Sequence, residues 1–99
     1  MQDKITVIAH FKANEGSEKE LRELLLSLIE LSRADKGCIT YDLHQAVDDP
    51  SLFIFFEIWE NKELLGEHSA TSHIRQFRSK AKSLLAEPPR VNVLTKISS

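Results

Sequence analysis

The sequence predicts an α+β fold of ferredoxin-like type, βαββαβ, with an antiparallel sheet of four strands and helices on one face. Three observations predict it. The run Leu52–Glu60 (LFIFFEIWE) has strand length and strand composition, and lies between Asp48-Asp49-Pro50 and Asn61. Three other segments, Lys4–Lys12, Cys38–Val47 and Arg90–Ile97, alternate or are rich in β-formers. Between strands one and two, and again between three and four, apolar residues recur at spacings of three and four, the period of an amphipathic helix.

Lys4–Lys12 (KITVIAHFK) is the first expected strand, with His10 near its end, and Asn14-Glu15-Gly16 breaks it. Ser17 and Glu20 have the spacing of a capping box, so a helix is expected from there to Gly37, a C-cap glycine. Leu21, Leu24, Leu25, Leu28 and Leu31 would form its apolar stripe. Cys38–Val47 would pair with Leu52–Glu60 as a hairpin turning at Asp48-Asp49-Pro50-Ser51. Asn61 can cap a short helix over Lys62–His68. Thr71 or Ser72 can cap a longer one, with Ile74, Phe77, Ala81, Leu84 and Leu85 inward, ended by Pro88-Pro89. Arg90–Ile97 is the fourth strand.

The third strand sets a further requirement. Leu52, Ile54, Phe56 and Ile58 fall on one face, and Phe53, Phe55, Glu57 and Trp59 on the other, so both faces are largely apolar. The helices can cover one. A second cover is expected from a partner subunit, because 99 residues suit one domain, residues 1–99, and leave little chain for another layer.

With 41% hydrophobic and 28% charged residues the composition is that of an ordinary soluble domain. Thirteen basic against fifteen acidic residues leave a net charge of −2, which favours neither nucleic acid nor an anionic membrane as partner. A single cysteine, Cys38, forms no internal disulfide and no leader or long apolar run begins the chain, so a cytoplasmic location is expected. Three glycines, Gly16, Gly37 and Gly66, write neither a phosphate-cradling loop nor a dinucleotide fingerprint, and no cofactor is expected. Cys38 has no base nearby in sequence and reads as a small buried hydrophobe. His68 and His73, five apart, would sit about 140° apart around one continuous helix, a poor geometry for a shared metal, so no metal is expected. Arg75, Arg78 and Lys82 fit the solvated side of the last helix.

Gly37-Cys38 with Tyr41, Phe53, the segment Phe56-Glu57-Ile58-Trp59, His68, His73, Phe77 and Pro88-Pro89 form an ordered series. Between Lys4 and about Val93 that series resembles the antibiotic biosynthesis monooxygenase family. The resemblance implies a homodimer, a dimeric α+β barrel in which two such sheets pack face to face. It also implies a cofactor-independent monooxygenase that uses molecular oxygen on a small aromatic or quinol-type substrate. His68 and His10 are then the first choices for a base and Trp59 for a catalytic cavity residue, with Phe53, Phe55, Glu57, His73, Phe77 and Arg78 binding substrate. Glu57 would orient the histidine. In haem-degrading relatives of this fold a tryptophan is joined by a strand-one asparagine and a helical histidine that ligates iron. Alignment puts those partners at His10 and Arg78, and arginine cannot ligate haem. Two alternatives stay open: an isomerase or processing enzyme for a phosphorylated signalling sugar, using Arg75 or Arg78, and a non-enzymatic dimeric module that binds a small ligand.

Overall fold

A computed structural model describes residues 3–98. Its elements are β1 (Ile5–Lys12), α1 (Glu18–Leu26), α2 (Ile29–Arg33), β2 (Cys38–Ala46), β3 (Asp49–Trp59), α3 (Lys62–Ser69), α4 (Ser72–Ala81) and β4 (Arg90–Leu94). The strands form one antiparallel sheet in the order β2-β3-β1-β4, the ferredoxin-like arrangement the sequence predicts.

Parity decides which side chains share the core. β1 pairs with β3 so that Ile5 lies opposite Trp59, Val7 opposite Glu57, Ala9 opposite Phe55 and Phe11 opposite Phe53. Side chains of a strand alternate faces, so these eight residues occupy one side of the sheet, and all are buried. Leu21, Leu25 and Leu28 of the first helical region and Ile74, Phe77 and Ala81 of α4 pack onto them. The other side carries Thr6, Ile8, His10 and Lys12 with Leu52, Ile54, Phe56 and Ile58, all of intermediate burial.

Several local expectations are corrected. The first helix is interrupted at Ser27-Leu28, where the Ser27 hydroxyl donates to the Leu24 carbonyl at 2.6 Å and competes with the helical ladder. The break shifts the inward stripe to Leu21, Leu25, Leu28 and Ser32, leaving Leu31 53% exposed. Ser17 makes no capping bond; the Gly16 amide instead donates to the Glu18 carboxylate. The hairpin turns at Val47-Asp48, so Asp49 and Pro50 belong to β3. Pro50 lies beyond the last β1 partner and beside a bulge against β2, where its missing N–H costs no ladder bond. α4 stops at Ala81, and Leu84 is buried from the turn that follows. Asn61 caps α3 as expected, accepting from the Leu64 amide at 2.9 Å.

Candidate active site

A cavity of about 450 Å³ lies between the sheet and the helices, within the usual range of ~300–1,000 Å³ for small-molecule pockets. Val7, Ala9 and Phe11 of β1, Phe55 of β3 and Phe77 of α4 give it apolar walls. Tyr41, Glu57 and His68 bring polar groups into this otherwise apolar space, while the exposed Arg78 and Lys82 line its rim.

His68, in the last turn of α3, is 5% exposed and stacks on Trp59 with ring centroids 4.4 Å apart and planes 35° apart. Its Nδ1 lies 2.8 Å from Asp35 Oδ2. A carboxylate only accepts, so Nδ1 carries the proton and the lone pair is on Nε2, which is held by no described residue. Burial lowers the His68 pKa below 6.5 although Asp35 pulls the other way, and the ring is neutral at neutral pH.

Glu57 is 5% exposed, and one carboxyl oxygen accepts the Trp59 Nε1–H at 2.9 Å. Burial pushes its pKa up to about 7, against the opposing effect of that hydrogen bond. Tyr41, opposite Glu57 on β2, has its phenol pushed up by burial. Ser32 is wholly buried and its hydroxyl completes no hydrogen bond among the described residues.

The sequence model of the family described as "Antibiotic biosynthesis monooxygenase" matches residues 4–80, most of the chain. The chain belongs to the antibiotic biosynthesis monooxygenase family. Over 94 residues it is 34% identical to the Mycobacterium tuberculosis protein named "Putative monooxygenase Rv0793", covering 95% of this chain and 92% of that one. The Bacillus subtilis protein named "Putative monooxygenase YcnE" is 32% identical over 84 residues, 85% of this chain and 88% of its own. An uncharacterised Synechocystis protein is 32% identical over 91 residues, and the chain spans 62% of its length. The solved structure of Rv0793 superposes with a TM-score of 0.91 over 97% of both chains. That of PA3566 from Pseudomonas aeruginosa superposes at 0.92, with 33% identity, over 99% of this chain and 98% of its own.

Membership of this family does not place every residue the sequence singles out. Phe55, Glu57, His68, Phe77 and Arg78 line the cavity. Trp59 and Phe53 lie behind the wall, 0% and 1% exposed, so Trp59 reaches the cavity only through Glu57 and His68. His10 points to the opposite side of the sheet, where its Nδ1 lies 3.3 Å from the Arg90 carbonyl oxygen; β1 offers the cavity Val7, Ala9 and Phe11 instead. Glu57 does not orient His68. Asp35 does, a residue the sequence reading missed because it lies in a loop 33 positions away with no local motif around it.

His73 also turns to Asp35, its Nε2 3.0 Å from the same Oδ2. The helical-angle argument for His68 and His73 fails here, because the chain breaks at Ala70-Thr71 and the two residues sit on different helices. Asp35, His68 and His73 bring their ligand atoms within 4.8 Å of one another, a donor set a transition ion accepts. With both imidazoles hydrogen-bonded to the carboxylate, the set is also satisfied without an ion. The Cys38 thiol is pushed up to about 11, chiefly by burial, which keeps it a thiol. No described helix is long and apolar enough to cross a membrane.

Proposed function

We propose that the chain is a homodimeric, cytoplasmic, cofactor-independent monooxygenase that oxidises a small aromatic or quinol-type substrate with molecular oxygen. The carrying observation is His68, a neutral imidazole on the wall of an apolar cavity, oriented by Asp35 through Nδ1 with Nε2 free. In this reading Nε2 takes the proton of a phenol or enol, and the resulting anion is electron-rich enough to reduce oxygen itself. The protein supplies orientation and exclusion of water, with Phe55 and Phe77 against the ring, Glu57 and Arg78 meeting polar substituents, and Phe53 and Trp59 supporting from behind. His73 holds Asp35 in place. His10 has no part in the cavity of its own subunit. The names of the two monooxygenase-like relatives support the reaction class.

A second reading, an isomerase or processing enzyme for a phosphorylated sugar, draws on Arg78 and Lys82, which stand at the rim where a phosphate would be held. One screen separates the two: oxygen uptake and product formation against quinols and phosphorylated ketoses. Turnover with oxygen consumed is expected. Turnover without it selects the sugar enzyme, and saturable binding without turnover selects a ligand-binding module. His68→Ala is expected to lower kcat by roughly 10²–10⁴-fold while the protein stays folded. An undiminished kcat ends the role of His68 as base.

A further inference from the structure

We propose that Glu57 is the proton donor of this site, delivering the proton that turns an oxygen adduct of the substrate into a hydroperoxide. The proposal rests on the oxygenase reading above and assigns Glu57 a chemical step instead of a binding contact.

The placement argues for it. Glu57 lies on the cavity wall near the C-terminal end of β3, with Val7 opposite on β1 and Tyr41 opposite on β2. One oxygen is fixed by the Trp59 indole N–H, and the other has no described hydrogen-bond partner. No cation pairs with it among the described residues. A carboxyl buried without a countercharge keeps its proton well above the ordinary carboxylate range, and its pKa raised to about 7 agrees. The titratable neighbours are Tyr41 and Cys38 from β2, both kept as neutral acids by burial, and His68 from α3. Arg78 and Lys82 from α4 stay at the exposed rim, and β1 brings only apolar side chains. Two groups of opposite habit therefore share one cavity: a histidine kept without its second proton and a carboxyl kept with one. A pair separated in this way is suited to divide base and acid roles.

The reaction balances with that division. A hydroxyl of the quinol loses its proton to His68 Nε2. The ring carbon beside the resulting oxyanion, which keeps its one hydrogen, gives two electrons to oxygen as the C–O bond forms, leaving a peroxide anion and a ring carbonyl. Glu57 protonates the outer peroxide oxygen. Loss of that carbon's hydrogen as a proton, which recharges Glu57, breaks the O–O bond and leaves a second carbonyl. The departing hydroxide takes the proton stored on His68, so quinol plus oxygen gives hydroxyquinone plus water.

The probe is 1,4-naphthohydroquinone, which this sequence converts to 2-hydroxy-1,4-naphthoquinone and water. Uncoupled oxidation gives 1,4-naphthoquinone and hydrogen peroxide instead. Glu57→Gln keeps the shape and the acceptor for Trp59 but removes the acid. It is expected to lower kcat about 100-fold with KM within about twofold. The products should shift to naphthoquinone and peroxide, and the fall in wild-type kcat above about pH 7 should disappear. Hydroxyquinone formed by the variant at the wild-type rate overturns the proposal. A ¹³C-carboxyl titration of Glu57 in the wild type needs no variant: a midpoint near 7 supports the assignment, and one in the ordinary carboxylate range ends it. If the wild type forms no oxygenated product from any quinol of the screen, the oxygenase reading falls and this role falls with it. Product from the wild type with an unaffected variant removes the Glu57 role alone.

Discussion

Glu57 and His68 share a cavity in which neither is readily charged, so each ties stability to pH, in opposite directions. For Glu57 the folded pKa is raised from 4.5 to about 7. Its cost is therefore absent below the unfolded value, grows as pH rises through the folded one, and is complete above it, on the order of 3 kcal/mol at most. His68 has a lowered folded pKa, so its cost appears only as pH falls below 6.5. Glu57→Gln is expected to raise the thermal midpoint at pH 8 and to lose most of that gain at pH 5, checked by calorimetry at both values; an equal midpoint at pH 8 means that burial does not raise the carboxyl's pKa. The placement of Glu57 was readable from alternation in β3. So, in principle, was the outward turn of His10, since Ile5, Val7, Ala9 and Phe11 are uniformly apolar while Thr6, His10 and Lys12 are not. Asp35 was not readable, because its partnership with His68 exists only once a loop and a helix end are folded together.

That folding depends on the short link between α2 and β2. Gly37 adopts φ +85°, and a Cβ placed there would stand 2.5 Å from Leu64 Cδ1 and 2.7 Å from Leu64 Cβ, on the first turn of α3. The loop therefore lies flush against α3, tied further by the Glu60 amide donating to the Gly37 carbonyl at 2.9 Å, and Asp35 is carried to His68. Gly37→Ala is expected to cost roughly 3 kcal/mol, from the left-handed backbone and the collision together, and to lower turnover per folded molecule. Gly16→Ala is the control, with φ +90° and open space around it, at about 1 kcal/mol. Denaturant melts of both variants give the comparison, and equal losses would show that close packing on Leu64 is not the cause. At this scale the strands were legible because β-formers and period-two alternation run unbroken through them. Helix interiors were legible too, but breaks at Ser27-Leu28 and Ala70-Thr71 carry neither glycine nor proline to announce them.

The sheet as a whole leaves one side without helices. Leu52, Ile54, Phe56 and Ile58 present an apolar row there, as alternation in β3 requires, and the family resemblance offers the same explanation, a second subunit laid face to face. Light scattering should give twice the monomer mass. Ile54→Glu should give the monomer mass, since a charge on a face open in one chain costs that chain little but is intolerable between two. A wild-type monomer, stable and well folded, would end the dimeric arrangement. The molecule also carries a single tryptophan, and it is the one wedged between Glu57 and the His68 ring. Its intrinsic fluorescence is therefore a light source built into the candidate site: every change in tryptophan emission of the folded protein, on adding a quinol or on changing pH, originates beside Glu57 and His68.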